Sequence, residues 1–275
     1  MRGATRGIAW EDRGDVRRPP ILLVRPLGGS AALWGEFAHT LERELRVVTF
    51  DAVGSGASPG RARASTSALA VDALAVLDAR SIDKAHLFGI SLGGMVATRF
   101  AIDSPSRLTS LVLASTAACG FAFERAGLRR AAGFARCFAR EPSEAERCVV
   151  LRVLSHEFRA EHPVEAERIA DLAAQTPAPY LTFAAHAIAA LRHDARAELE
   201  KIGAPTLVLA GDRDHMLGPG AGLALAHGIA GAKRTIITGS GHDLTLERPG
   251  ETATRVLAFV REAREAVPFL RSHIE

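Results

Sequence analysis

Ala85-His-Leu-Phe-Gly-Ile-Ser-Leu-Gly-Gly-Met-Val-Ala-Thr-Arg-Phe100 is the stretch whose reading decides the fold. Ala85 to Phe88 is a short apolar run of strand length, and Gly94 to Phe100 has the apolar spacing of a helix. Between them lies Gly89-Ile-Ser-Leu-Gly93, a Gly-x-Ser-x-Gly pattern. A serine on a sharp strand-to-helix turn points its hydroxyl out of the sheet, and the flanking glycines keep the turn free of side-chain clashes. The pattern alone is short enough to occur by chance. Its position, after a strand and at the opening of a helix, makes Ser91 a candidate nucleophile rather than a helix-capping serine.

Outward from this turn, short apolar runs alternate with helical patterns. Ile21 to Val24, Val47 to Phe50, Leu108 to Ala114, Thr206 to Ala210 and Thr235 to Thr238 read as strands. Continuous apolar runs of this kind suit strands buried on both faces. Helices are predicted near 31–44, 67–80, 92–103, 219–230 and 249–265, and antiparallel edge strands within 5–17. The alternation implies an α/β fold with a mostly parallel sheet flanked by helices. One segment breaks it. From Ala117 to Ile202 no strand is predicted, and prolines at 142, 163, 177 and 179 punctuate helical patterns. The reading is three to five helices inserted between two sheet strands, with Ser143 and Glu146 forming a capping box. The domains expected are a core of residues 1–116 and 203–275 and a helical cap insert of 117–202.

A serine nucleophile needs a base, and the base needs an orienting acid. In a sheet of this kind the partners follow in the order Ser, Asp or Glu, His. Leu207 to Asp214 is a strand running into an acidic loop, where Asp214 is the candidate acid and Asp212 its rival. Of ten histidines, His242 stands out because Gly239-Ser-Gly-His242 is the last strand-to-helix loop. His215 adjoins Asp214 and is expected to shape that loop or face the pocket. A tetrahedral intermediate needs two backbone N–H donors. Leu92, after the nucleophile, is one candidate; Leu27, in the loop Arg25-Pro-Leu-Gly-Gly-Ser30, is the other. His156-Glu157 lacks a second histidine at zinc-protease spacing, and no metal or organic cofactor is implied.

These residues resemble the α/β-hydrolase superfamily over nearly the whole chain except 117–202. Phe50-Asp-Ala-Val-Gly-Ser-Gly-Ala-Ser58 is similar to that family's Asp-x-x-Gly-x-Gly-x-Ser turn, and Gly241-His242 with Glu247-Arg-Pro249 to its base loop and final helix. Gly89 to Ala97 and Leu111 to Ala118 are most similar to the 3-oxoadipate enol-lactonase group and its esterase relatives. The resemblance implies an α/β-hydrolase fold with an inserted helical cap. It further implies hydrolysis of a small carboxylic ester or lactone through an acyl-serine intermediate. The same triad in relatives runs carbon–carbon bond hydrolysis and acyl transfer, and a ligand-binding protein with a vestigial triad is the alternative of another class. The chain departs from the family at Arg25-Pro26, where His-Gly is usual. Two roles for Arg25 stand open: bracing the loop by pairing with a carboxylate or carbonyls beneath it, or binding a substrate carboxylate. Phe121, Phe123, Phe134 and Tyr180 of the insert are candidate pocket residues, in competition with a role in the insert's own core.

Composition sets the remaining expectations. The 275 residues carry 34 basic and 31 acidic side chains, well mixed, which speaks against a nucleic-acid partner. No run approaches the roughly 18 apolar residues of a membrane span. Residues 1–10 do not read as a signal peptide, and Cys119, Cys137 and Cys148 form no paired motif. Buried free thiols and a cytoplasmic location are therefore expected. Oligomeric state is not readable.

Overall fold

The computed structural model describes residues 1–120 and 133–271. An eight-stranded sheet organises them, in the order β1-β2-β4-β3-β5-β6-β7-β8. The strands are β1 (Arg2–Thr5), β2 (Ile8–Arg13), β3 (Pro20–Val24), β4 (Arg46–Phe50), β5 (Ala85–Ile90), β6 (Leu108–Ala114), β7 (Thr206–Gly211) and β8 (Lys233–Ile237). β1 and β2 pair antiparallel with each other, and β2 pairs antiparallel with β4. All other pairings are parallel.

The double burial of the parallel strands explains their apolar runs. Ile21, Leu23, Val47, Phe88 and Val112 face one layer, where α1 (Gly35–Leu41) and α10 (Pro249–Arg271) supply Phe37, Leu41, Val256 and Val260. Leu22, Val24, Val48 and Leu87 alternate with them and face the other. There α2 (Thr66–Ala79) and α3 (Leu92–Asp103) bring Ala73, Val76, Val96 and Phe100. The carboxyl ends of a parallel sheet are where ligand sites form.

Between β6 and β7 the chain forms α4 (Pro142–Val153), α5 (His156–Glu161), α6 (Pro163–Ala174) and α7 (Tyr180–Arg192). The ends of the segment are tied together at its base: Gly120 N–H donates to His193 O at 2.6 Å and Ala195 N–H to Ala118 O at 2.8 Å. Its helices pack on one another through Val150, Leu154, Phe158 and Ile169. A second cluster, with Val149, Ala178 and Phe183, reaches Leu27 of the loop after β3. α8 (Gly218–Gly228) and the single turn α9 (Leu244–Glu247) complete the core.

Two expectations are corrected. Ser143 and Glu146 do not form a capping box: Pro142 takes the first helical position, Glu141 is the N-cap, and no side chain caps the helix. Proline pre-sets the helical φ, so the helix starts one residue before Ser143, and Glu146 turns inward, 3% exposed. The cysteines are not all free thiols. Cys137 and Cys148, 11 residues apart, form a disulfide with Cα atoms 5.4 Å apart, leaving Cys119 free. Their spacing matches no paired motif, since the turn entering α4 is what brings them together. With this pair oxidised, the thiol argument for a reducing compartment falls away. No helix among the described residues is long and apolar enough to cross a membrane.

Candidate active site

Ser91 lies where β5 meets α3, with φ 56° and ψ −121°. A positive φ is costly for a residue with a side chain and is held there only by its surroundings. Two glycines create the room. A Cβ on Gly89 would sit 2.2 Å from Gly93 O, and one on Gly93 would sit 2.2 Å from Val24 O. Ser91 N–H donates to Ala114 O at 3.0 Å, and Thr116 Oγ1 donates to Ser91 O at 2.7 Å. The elbow is thereby clamped between β5 and β6.

The structure brings Ser91, His242 and Asp214 together. His242 Nε2 is 2.8 Å from Ser91 Oγ, and His242 Nδ1 is 2.9 Å from Asp214 Oδ2. Asp214 Oδ1 accepts the N–H groups of Met216 at 2.8 Å and Leu217 at 3.1 Å, which fixes the carboxylate. Burial alone would raise the Asp214 pKa; the His242 ring and these N–H groups outweigh it and hold the value at about 2. Burial opposes charge on His242, but Asp214, with Asp243 and Glu247 beyond it, raises its pKa above 6.5. A carboxylate at Nδ1 requires the proton there, so Nε2 is free to accept from the serine hydroxyl. Asp212, the rival acid, is exposed, and its Oδ1 accepts Gly239 N–H at 2.7 Å, bracing the histidine loop. His215 also braces: its Nε2 is 2.9 Å from Arg152 O of α4.

The two candidate oxyanion donors lie at the start of α3 and in the turn after β3. Leu92 is the first residue of α3, so its N–H has no acceptor within the helix and shares the positive end of the helix dipole. Pro26 to Gly29 form a tight turn, closed by Gly29 N–H to Pro26 O at 3.1 Å, with Gly28 at φ 73°. Gly28 N–H goes to His186 Nδ1 at 3.3 Å. Leu27 occupies the second position of that turn, whose N–H the turn itself does not use.

Arg25 is buried, 8% exposed. Its guanidinium donates to Asp243 Oδ2 at 3.1 Å and to Thr245 Oγ1 at 3.4 Å, and stacks 4.7 Å from the centre of the Trp34 ring. Its fork is thus committed to the residue after His242, which is the brace arrangement. Phe134 packs on the cluster of Cys137, Val149 and Phe183, and Tyr180 is 41% exposed. Phe121 and Phe123 lie outside the described residues.

Several residues at the site escaped the sequence reading. Glu247 accepts Ser155 N–H and Ser155 Oγ–H, both at 2.7 Å, and Gly241 N–H at 3.0 Å. It joins the histidine loop to the insert. His242 N–H donates to Val153 O at 3.2 Å. Thr182 Oγ1 donates to Gly54 O at 2.7 Å in the turn after β4. That turn is held by Asp51, whose carboxylate accepts Ala31 N–H at 2.6 Å and Ala57 N–H at 2.8 Å. Glu146 is the other surprise, because burial pushes its carboxyl up to about 8 against the opposing pull of Ala178 N–H and Arg25. The only local signal for Glu247 is its place in Glu247-Arg-Pro249, just before the last helix. Among the described residues no group of three His, Cys, Asp or Glu is placed to hold a metal ion.

Comparison with known proteins identifies the family. The chain is 30% identical to a putative carbamate hydrolase RutD from Agrobacterium fabrum, over 91% of this chain and 96% of that one. It is 31% identical to 3-oxoadipate enol-lactonase 1 from Acinetobacter baylyi, over 75% and 76% of the two chains. A thermophilic esterase structure from Thermogutta terrifontis superposes with a TM-score of 0.81 at 27% identity, covering 96% of this chain and 99% of the esterase. Residues 19–249 match the alpha/beta hydrolase fold family. That span takes in the elbow, the acid loop and the histidine loop, and the chain is a hydrolase belonging to the alpha/beta hydrolase fold family.

Proposed function

We propose that this hydrolase cleaves a small carboxylic ester or lactone through an acyl-serine intermediate, with Ser91, His242 and Asp214 as its triad. The observation that carries the reading is the unbroken chain from Ser91 Oγ to His242 Nε2 and from Nδ1 to Asp214, at 2.8 and 2.9 Å, on a strained elbow. Ser91 Oγ attacks the acyl carbon while His242 Nε2 takes its proton, and Asp214 stabilises the imidazolium. The Leu27 and Leu92 N–H groups receive the charge developing on the carbonyl oxygen. As the acyl carbon–oxygen bond breaks, His242 returns the proton to the departing alkoxide. Water then attacks the acyl-serine, losing its proton to His242, and the acid leaves as Ser91 recovers its hydrogen.

The relatives support this chemistry in kind. Carbamate hydrolysis and enol-lactone hydrolysis, the activities in the names of the two relatives, both attack a carbonyl bearing a leaving group. In this reading residues 117–202 are a cap over the carboxyl end of the sheet and supply part of the pocket wall. Fluorophosphonate labelling followed by peptide mass spectrometry tests the assignment, together with turnover of 4-nitrophenyl esters and simple lactones. The label is expected on Ser91, and turnover is expected to vanish in Ser91→Ala. A label on another serine, or full turnover in that variant, refutes the reading.

A further inference from the structure

Beside the oxyanion loop lies a small cavity of about 20 Å³, walled by Pro26, Gly29, Leu92 and the apolar side chains of Phe50, Leu69 and Val96. Arg25 and His186 are among the residues that line it. Each carries a buried nitrogen with no hydrogen-bond partner: Arg25 Nε and His186 Nε2. The chemistry of both atoms is fixed by what the rest of the side chain does. A backbone N–H can only donate, so Gly28 N–H at 3.3 Å makes His186 Nδ1 an acceptor and places the ring proton on Nε2. Burial pushes the His186 pKa down to about 4, so the ring stays neutral and this tautomer persists at working pH. Arg25 places one N–H of each terminal nitrogen on Asp243 and Thr245, and its Nε–H is buried without a partner. Gly29 keeps that donor accessible, since a Cβ there would sit 3.2 Å from Nε.

Two buried, unpartnered donors carried by residues that line one small cavity call for an acceptor. The charge of Arg25 is already answered by Asp243, which removes the need for a full anion. The volume is only slightly above the 10–15 Å³ that one water-sized group needs, so the occupant is about one oxygen atom in size. Leu92, which lines this cavity, is the residue that follows Ser91 and a candidate oxyanion donor, so the part of a substrate nearest to the cavity is the acyl group.

We propose that this cavity is an acyl-side subsite for a single hydrogen-bond-accepting oxygen, held by His186 Nε2–H and Arg25 Nε–H, so that the favoured acyl group is short and bears an oxygen close to its carbonyl. Hydroxyacyl, alkoxyacyl and oxoacyl groups meet that description. This rests on the acyl-serine reading for the orientation of the substrate. A plain alkyl chain would put a methylene where both donors stay unpaired, and such sites reject the analogue that lacks the polar atom. His186 is then a specificity residue contributed by the insert.

The test is binding of isosteric acids to full-length Ser91→Ala, measured by calorimetry, because it does not depend on turnover. Methoxyacetate is compared with butyrate, and glycolate with propionate. The oxygen-bearing acid of each pair is expected to bind about tenfold more tightly, the scale of one good buried hydrogen bond. In Ser91→Ala/His186→Phe the preference is expected to fall to within about twofold, and Ser91→Ala/His186→Gln, which keeps a donor, is expected to retain part of it. Equal binding within each pair overturns the proposal without recourse to any His186 variant, and is also the result if the cavity merely houses a structural water. A preference that survives His186→Phe overturns it as well. The acyl-serine reading fails separately, through absence of label on Ser91, and that failure leaves the binding preference still decisive for the subsite.

Discussion

The carboxyl end of the sheet and the inserted helices hold the site in different ways. The sheet side is built by backbone. Ser91 stands on an elbow whose position follows from β5, β6 and two glycines that admit the main chain to within van der Waals limits. The insert acts through a small set of polar grips on loops. Ser155 holds Glu247, Val153 O holds His242 N–H, His186 holds Gly28 N–H, and Thr182 holds Gly54 O. The four grips land on three connections of the sheet: the first two on the segment after β8, the others on the turns after β3 and β4. The contrast teaches that the atoms of the proposed triad are preorganised by the core, whereas the loops around them take their set from the insert.

Changes on the sheet side should therefore cost the most activity. Ser91→Ala and Asp214→Asn are each expected to lower kcat by about 10³- to 10⁴-fold or more with the melting temperature little changed, and the double variant should be no worse than the poorer single one. Asp212→Asn, which loosens only a loop contact, should stay within severalfold of the parent. Steady-state kinetics on a 4-nitrophenyl ester decides between the two aspartates, and an equal loss would assign the acid wrongly.

Cutting the strongest grip of the insert is the sharper probe of the second region. Glu247→Ala removes three hydrogen bonds that join Ser155 to Gly241. A loss of about 10- to 100-fold in kcat is expected, as for misplacement of a base by about 1 Å. A stability loss of about 1–3 kcal/mol should accompany it, because the Ser155 and Gly241 groups are left buried and unpaired. If kcat is untouched while stability falls, the grip serves the fold alone.

Smaller still is the pH response of the base. His242 titrates above 6.5 because of Asp214, so the acid limb of kcat/KM should lie above that of a free imidazole. Activity falls as pH drops through it. In Asp214→Asn the residual activity should show that limb displaced to lower pH.

The smallest effect is expected at Glu146, which binds no reacting group. Its carboxyl titrates at about 8 when folded against 4.5 ordinarily. The folded state thus retains a proton that the unfolded chain releases, so this stability is complete below about 4.5 and is lost as pH rises toward 8. Glu146→Gln should flatten that decline, with a gain in melting temperature of a few degrees at pH 8 and almost none at pH 4. Thermal melts across that range check it.

What the sequence made legible follows the same division. The strands were readable because burial on both faces demands unbroken apolar runs such as Ile21 to Val24. Ser91, Asp214 and His242, the triad proposed here, could be singled out because each lies within a few residues of the end of such a strand, so sequence adjacency stood in for spatial position. Glu247, Ser155, Asp243 and His186 were not, because their partners lie 92, 92, 218 and 158 residues away along the chain. No local pattern records such a pairing. The Ser143 capping box failed for a local reason, since Pro142 competes for the same first turn. The cysteine reading failed for a distant one, in that only the packing of α4 on the preceding segment brings Cys137 to Cys148.

The bond from His242 N–H to Val153 O has a kinetic consequence. Hydrogen exchange at that amide requires the insert's carbonyl to let go. In heavy water the His242 amide is therefore a clock for separation of the insert from the histidine loop, read at the very residue that aligns with Ser91. Comparing its exchange rate with that of the Gly28 amide, whose acceptor is the His186 ring, resolves whether the two ends of the insert lift together or one at a time. A common rate for both marks a single rigid displacement. Unequal rates mark a hinge, and the slower amide tells which end stays seated while substrate enters and product leaves.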